Sequence, residues 1–188
     1  MVSNAQLGEL LVGAYHKLIT DCEVVSYNQR SKEQGSQMEI DVVGIDSAGD
    51  RQTIYACEVI THLHGTVYPG TPSTDRWSEY GNDGYQHTLE KLWTKFNADH
   101  AYVTEVFDDA DRYVFQLWAP VIPEGLLTDG LSELADDFSS NTGRELDLLI
   151  NESYTERIDE LRTFAASEKK DYGEPAFRFL QILAHMRR

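Results

Sequence analysis

The sequence predicts an α/β fold in which a mixed central sheet is flanked by helices. Apolar residues at helical spacing predict a first helix over residues 4–20, opened by a capping box between Ser3 and Gln6. Short polar links then separate three runs that are rich in β-branched and aromatic residues, a pattern that favours an antiparallel meander. These predicted strands cover residues 22–29, 38–46 and 51–61.

A second helix and a fourth strand follow the meander. Leucine and aromatic residues at helical spacing predict the helix over 84–103, and the strand is predicted at 112–122. Because a crossover helix joins the third and fourth strands, these two strands should run parallel. Pro120 places the fourth strand at a sheet edge, or marks the end of that strand.

The C-terminal third is predicted to be largely helical. We expect a core over residues 1–122 and an extension over 123–188 packed on it, most simply as one domain. Gly130 is a candidate break in the first helix of this extension. The predicted elements are a helix at 123–138, a strand at 145–150, a helix opened by a capping box between Ser153 and Glu156, and a helix at 175–186.

Composition narrows the class of protein. The chain has 188 residues, of which 41% are hydrophobic and 26% charged, as in an ordinary globular protein. It has no apolar run of the roughly 20 residues that a membrane helix needs, and its first residues do not resemble a signal peptide, so we expect a cytoplasmic protein without membrane contact. Two cysteines make neither a disulfide framework nor a zinc site.

The formal net charge of -16 disfavours non-specific adsorption to nucleic acid, although it leaves room for a local basic groove. Many of the acidic residues lie in the last third of the chain, and the simplest interpretation is that they line solvent-exposed helix faces. The alternative is an acidic surface that imitates DNA or docks on a basic protein partner.

Carboxylates interrupt two of the predicted strands. Since side chains alternate along a strand, Glu39 and Asp41 should share one face of the second strand, and Glu58, Ile60 and His62 one face of the third. In a meander these faces can coincide. Buried carboxylates need a proton, a cationic side chain or a metal ion, and oxygen ligands suit Mg²⁺ or Mn²⁺. Alternatively, the strand lies at an edge and its acids reach solvent or pair with arginine.

Four short segments resemble the PD-(D/E)xK nuclease superfamily, and they are most similar to small bacterial endonucleases related to Holliday-junction resolvases. They are Gly8-Glu9, Asn28 with Arg30, Glu39-Ile40-Asp41, and Cys57-Glu58-Val59-Ile60-Thr61. The resemblance implies a restriction-endonuclease-like core with the element order αβββαβ. It also implies a metal-dependent DNA phosphodiesterase, and nucleases of this fold often form homodimers.

The resemblance implies roles for three acids. Asp41 and Glu58 would bind Mg²⁺ or Mn²⁺, and Glu9 would be an accessory acid from the first helix. On a helical wheel, however, Glu9 lies opposite the apolar stripe that contains Leu7 and Leu10, which is a solvent-facing position.

The sequence departs from the family at the motif lysine, whose position holds Ile60. Three interpretations follow. In the first, the chain keeps the fold but has lost hydrolysis, and it acts as an acidic protein-binding or DNA-mimicking module. In the second, Lys91 or Lys95 of the second helix supplies the cation. In the third, His62 carries out proton transfer, since its ordinary pKa is near neutrality.

Other residues are weaker candidates. Trp77, Tyr80 and Tyr85, in or beside the long segment 62–84, could stack on bases or pack that segment against the sheet. Gln86 loosely matches a glutamine that some nucleases of the superfamily use at the site.

Two further features point away from zinc and from a cysteine nucleophile. His62 and His64 form an H-x-H pair that gives little support for zinc without cysteine ligands nearby. Cys57 alternates to the face opposite Glu58, which predicts a core thiol.

Overall fold

The computed structural model describes residues 6–32, 35–47, 49–63, 65 and 67–186. It is an α/β protein with a five-stranded mixed sheet and five flanking helices, which confirms the predicted fold class. In chain order, the elements are α1 (Leu7–Leu18), β1 (Val24–Ser31), β2 (Gly35–Asp46), β3 (Thr53–Val59), α2 (Asp83–Val106), β4 (Arg112–Ala119), α3 (Leu126–Thr142), β5 (Glu145–Ile150), α4 (Asn151–Ser167) and α5 (Pro175–Met186).

The strands lie in the sheet in the order in which they occur in the chain. β1, β2 and β3 form the predicted antiparallel meander, and β4 pairs parallel to β3 as expected for a crossover helix. β5 extends the sheet by pairing parallel to β4. In the part of the chain that the structure describes, no helix combines the length and apolar character needed to cross a bilayer.

Each face of the sheet has its own core. The first face packs against α2 and α3 around Phe96, Phe115 and Phe138, all buried. The second packs against α1, α4 and α5 around Trp118 and Phe177. The alternation along β4, with Phe115 on one side and Trp118 on the other, shows why this strand is apolar throughout: both of its faces are buried.

The strand registers decide which face each polar residue occupies. Val43 pairs with Ala56 on the α2 side, and Val42 pairs with Cys57 on the α1 side. Glu58, one residue further, returns to the α2 side, where it pairs with Leu117. Cys57 is therefore a buried thiol on the face opposite Glu58, as the alternation predicts.

The structure selects one of the two alternatives for Pro120 and shows no helix break at Gly130. β4 lies between β3 and β5 and not at an edge, and Pro120 follows its last residue, so the proline marks the end of the strand. α3 runs through Gly130 without a break. A Cβ at Gly130 would lie 2.5 Å from Leu89 Cδ1, so this glycine allows α2 and α3 to approach closely.

The two predicted capping boxes also need correction. Ser3 lies outside the described residues, and α1 is instead capped by Gln6, whose backbone N–H donates to the Glu9 side chain at 2.9 Å. α4 begins before Ser153, whose hydroxyl accepts a hydrogen bond from the Ile150 N–H at 2.9 Å. Each box is thus shifted along the chain from its predicted place.

Gly13 sets how closely α1 approaches β1. A Cβ at this position would lie 2.1 Å from the hydroxyl oxygen of Tyr27 and 2.5 Å from its ring. We expect Gly13→Ala to lower the free energy of unfolding by about 1–3 kcal/mol through overpacking, despite a helix-propensity gain of about 1 kcal/mol. Urea denaturation monitored by circular dichroism measures this, and an unchanged or higher midpoint would contradict it.

Candidate active site

Asp41 and Glu58 meet where β2 and β3 separate. The last backbone pair of this ladder is Val42 with Cys57. Beyond it, the Asp41 carboxylate accepts a hydrogen bond from the Val59 N–H at 2.8 Å, so a side chain continues the ladder. The Asp41 charge therefore acts on Glu58 where the two strands separate.

Lys95 of α2 completes this group. Its ammonium forms an ion pair with Glu58 Oε2, and its side chain is 32% exposed whereas that of Glu58 is 1% exposed. Among the described residues, neither Glu58 oxygen accepts a hydrogen bond apart from this ion pair. Lys91, one helical turn earlier, is exposed. Of the two lysines singled out by the sequence, the structure brings Lys95 to the acids.

A third carboxyl group, that of Asp99, lies behind this pair. Asp99 is 2% exposed, and it is within hydrogen-bonding reach of Glu58 when one of the two groups carries a proton. Burial raises the pKa of Asp99 to about 7. Burial and the charges of Asp99 and Asp41 likewise raise the pKa of Glu58 well above its ordinary value.

The Lys95 charge partly offsets these effects. Burial raises the pKa of Asp41 to about 6, against the opposing influence of the Lys95 ammonium and the Val59 N–H. Burial alone would lower the pKa of Lys95, but the nearby Glu58 carboxylate raises it above its ordinary value. One cation thus faces three carboxyl groups, which leaves a deficit of positive charge that a proton or a metal ion can fill.

Tyr68 reaches this cluster from the segment between β3 and α2. Its backbone N–H donates to Thr88 Oγ1 at 3.2 Å, and the Thr88 hydroxyl also lies 3.3 Å from the Tyr68 carbonyl oxygen. The phenol is close enough to Lys95, Glu58 and Asp41 to interact with their charges. Burial raises its pKa to about 12.

Thr88, Lys95 and Asp99 share one face of α2, at spacings of seven and four residues. The sequence interpretation missed Tyr68, Thr88 and Asp99. The signal that could have found the last two is this polar stripe, which runs beside the apolar stripe of Leu89, Leu92 and Phe96.

The predicted solvent-facing position of Glu9 was wrong. The residue is 5% exposed, and besides capping α1 its carboxylate accepts a hydrogen bond from Asn28 Nδ2 at 3.1 Å. Asn28 has the left-handed φ of 52°, which turns its amide toward α1. The Glu9 charge contributes to the raised pKa of Asp41, so this acid lies at the margin of the site.

Three other predicted positions among the described residues do not join the cluster of acids. Ile60, at the motif-lysine position, is buried in the core between the sheet and α2. Glu39 pairs with Arg30 at 2.9 Å, which is the arginine pairing that the sequence left open. His62 is exposed beyond the end of β3, and His64 lies outside the described residues.

The aromatic residues of the long segment pack it onto α2. Trp77 is buried, and the Arg76 guanidinium lies over the rings of Trp77 and Trp93 at 4.8 and 3.8 Å while also pairing with Asp137. Trp77 is thus a packing residue and not a surface for stacking bases. Gln86 donates to the Gly81 carbonyl at 2.7 Å, which secures the start of α2.

The described residues contain no group of three or more His, Cys, Asp or Glu side chains arranged to hold a metal ion. Mg²⁺, however, commonly binds through one or two carboxylates together with water and substrate phosphates. Asp41 and Glu58 are the two carboxylates that an open site of that kind would use. They do not form a closed all-protein site.

Comparison with protein-family models, with curated proteins and with solved structures found no match for this chain. The fold and the site together define an α/β protein that carries a lysine-paired carboxylate cluster beside its central sheet.

Proposed function

We propose that this chain is a divalent-metal-dependent DNA phosphodiesterase of the PD-(D/E)xK type, in which Lys95 replaces the missing motif lysine. The observation that carries the proposal is that Lys95 of α2 pairs with Glu58 of β3 while both groups act electrostatically on Asp41 of β2 or are acted on by it. The sequence resemblance alone left the place of the lysine open.

Each residue has a role that its position supports. Asp41 and Glu58 would hold Mg²⁺ or Mn²⁺, which supplies Lewis-acid stabilisation of a phosphoryl oxygen and a more acidic water when bound. Lys95 keeps part of its side chain in solvent, so its ammonium can meet the charge of a phosphodiester while it balances the acids. Glu9 contributes negative electrostatic potential from the edge of the site.

Asp41→Asn and Glu58→Gln test the carboxylates. We expect each to reduce metal-dependent cleavage of DNA by about 10²–10³-fold, the order found when one group that stabilises transition-state charge is lost. Each should also abolish the rise in melting temperature that Mg²⁺ or Mn²⁺ produces in the parent protein, because binding to the folded state alone stabilises it. Supercoiled, linear and branched DNA serve as substrates.

Glu39→Gln is the matched control, because it removes a carboxylate of the same strand that pairs with Arg30 at the surface. It should leave cleavage and metal-dependent stabilisation unchanged. Cleavage that survives both Asp41→Asn and Glu58→Gln would reject the proposal and point to a contaminating nuclease.

A second candidate is a catalytically silent protein of the same fold that uses its own acidic surface to bind a protein partner. It is favoured by the near-complete burial of Glu58 beneath Lys95 and by the net charge of -16. Here Lys95 would act as an internal counter-ion in place of a metal. Calorimetry with Mn²⁺ separates the two candidates, since the silent protein should show no binding at Asp41 and Glu58.

A further inference from the structure

The last helix, α5, is apolar on two opposite sides. On one side, Phe177 is buried in the core that contains Trp118, and the buried Gln181 donates to the carbonyl oxygens of residues 168 and 170 at 2.9 and 3.0 Å. These contacts fix the rotation of the helix. The other side presents large apolar side chains to solvent at spacings of three and four residues, so they form one continuous stripe. The stripe consists of Phe179, Ile182, Leu183 and Met186, which are 39–75% exposed.

A groove of about 510 Å³ runs beside this stripe, between α5 and α4. Small side chains line it, those of Thr163, Ala166 and Ala184, and Leu183 borders both the groove and the stripe. When two helix surfaces pack, the large side chains of one fill the grooves of the other. The stripe and the groove are therefore complementary features that lie next to each other on one surface.

This surface is free of net negative charge, although the chain as a whole carries a formal charge of -16. Among the five helices that the structure describes, α5 is the one without an acidic residue. At the groove, Asp159 forms an ion pair with Arg162. Two copies can thus approach here without opposing carboxylates, whereas their acidic faces repel each other.

The same charges argue against other occupants. The net charge repels a nucleic-acid backbone or an anionic membrane, and a basic protein would be drawn to the acidic helix faces. An apolar stripe beside a neutral groove suits a second copy that carries both features.

The area is sufficient for a dimer. The stripe exposes on the order of 400 Å² of apolar side chain, within the range of the largest apolar patch on a typical monomer. The groove adds exposed surface beside it, since the side chains of Asp159 and Arg162 are 53 and 56% exposed. Together they approach about 800 Å² per partner, the area that a standard interface buries.

We propose that this chain forms a symmetric homodimer in which the stripe of each copy fills the α4–α5 groove of the other. The contact is made twice, so a twofold axis closes the assembly. α5 lies on the face of the sheet opposite α2, so Glu58 and Lys95 stay outside the interface.

Sedimentation velocity of the full chain, from about 1 to about 300 µM, tests the proposal. We expect reversible association of monomers with a Kd in the micromolar range, because interfaces near the low end of the standard size are commonly weak. The measurement uses neither DNA nor a divalent ion, so its outcome is independent of the proposed function.

Ile182→Glu should raise the Kd about a hundredfold, because a twofold interface would bury the new carboxylate twice. Met186→Glu should act in the same direction at the most exposed position of the stripe, where the fold is least at risk. Val106→Glu is the matched control, since it adds the same charge at a 50% exposed apolar residue of α2. It should leave the Kd unchanged, and circular dichroism should show all three variants folded.

Thr163→Tyr tests the groove, because it fills the groove without altering the stripe. It should raise the Kd about tenfold through overpacking, whereas Thr94→Tyr, at an exposed position of α2, should not. An equimolar mixture of Ile182→Glu and Thr163→Tyr should associate more tightly than either variant alone, since one of the two stripe–groove contacts in the mixed dimer is intact.

Three results would overturn the proposal. The first is a parent protein that stays monomeric over the whole range, including one whose stripe instead binds vesicles of neutral phosphatidylcholine. The second is a Kd that neither Ile182→Glu nor Met186→Glu changes. The third is a Kd that Ile182→Glu raises but Thr163→Tyr does not, because the stripes would then pack on each other and not in the grooves.

Discussion

Lys95→Met is expected to lower the free energy of unfolding by about 3 kcal/mol at pH 8, toward the lower end of the range for breaking a buried ion pair. Methionine keeps most of the aliphatic stem of the side chain, so the loss reports the missing charge. Without the ammonium, Glu58 and its neighbours Asp41 and Asp99 must either stay charged in a buried place or take up protons. The same substitution should remove metal-dependent cleavage.

The loss should depend on pH. At pH 5 the carboxyl groups with raised pKa values are largely protonated in the folded state, and they need the cation less. We therefore expect a smaller destabilisation at pH 5 than at pH 8, measured by urea denaturation in buffer that contains EDTA.

Lys91→Met is the control for removing one positive charge from α2. Because Lys91 is exposed, its replacement should change stability by no more than about 0.5 kcal/mol. A double-mutant cycle between Lys95→Met and Glu58→Gln should show coupling between the two positions. Equal losses for the two lysine variants, or additive effects in the cycle, would show that the ion pair contributes little.

The strand pattern carried enough information to place the two central acids. Period-two alternation predicted that Cys57 would lie on the face opposite Glu58, and the registers agree. The order of short links also predicted that Asp41 and Glu58 would come close, and the Asp41 charge does act on Glu58. These are local properties, since each depends only on which neighbouring strand pairs and on the pleat.

The helices were harder to interpret, because helix rotation depends on what packs against each side. For α1 the leucines suggested one buried stripe, but Leu7 is exposed and the face toward the sheet carries Glu9, Gly13 and His16. Gly13 lets the helix approach Tyr27 closely, and the His16 ring forms a hydrogen bond with the Gln116 side chain at 2.9 Å. The buried face combines apolar residues with glycine, acid and histidine, so apolar spacing alone gives the wrong rotation for this helix.

The sequence could not distinguish Lys91 from Lys95 for the same reason. Both lie on one helix, and their spacing of four residues puts them on nearly the same face. What selects Lys95 is where α2 crosses the sheet, a long-range feature of the crossover connection. Tyr68 and Asp99 were missed for the same reason, because their partners are distant in sequence or depend on the segment before α2.

Asp99→Asn is expected to stabilise the protein by about 4 kcal/mol at pH 8 and to have little effect at pH 4, because the pKa is raised from 3.8 to about 7 in the folded state and one pKa unit corresponds to about 1.4 kcal/mol. The folded state therefore holds this proton more tightly than the unfolded state does, and stability falls as the pH rises from 4 through 7. An asparagine avoids that loss, and its amide can donate to Glu58 at every pH.

Three other groups shape the parent profile. Glu58, whose pKa is raised well above its ordinary value by burial and by the charges of Asp99 and Asp41, lowers stability as the pH rises. Asp41, with its pKa raised to about 6, also lowers stability as the pH rises. His16 acts in the opposite direction: burial lowers its pKa to about 4, so the folded state excludes its proton and stability increases with pH up to about 6.5. The difference between variant and parent cancels the contribution of His16, whose pKa Asp99 does not shift. It retains the change that loss of the Asp99 charge causes at Glu58 and Asp41, so the difference reports the whole carboxyl cluster.

Urea denaturation at pH 4, 6 and 8 without divalent ions gives this difference, and Asp108→Asn controls for removing one exposed carboxylate from so acidic a chain. A difference that grows with pH for Asp99→Asn but stays flat for Asp108→Asn would locate the cost of the third carboxyl group at the site. If the two variants behave alike, the effect comes from the overall negative charge, and Asp99 does not repel the Glu58 carboxylate measurably. A bound divalent ion would reduce such repulsion. The stability difference between Asp99→Asn and the parent should therefore shrink when Mg²⁺ is added.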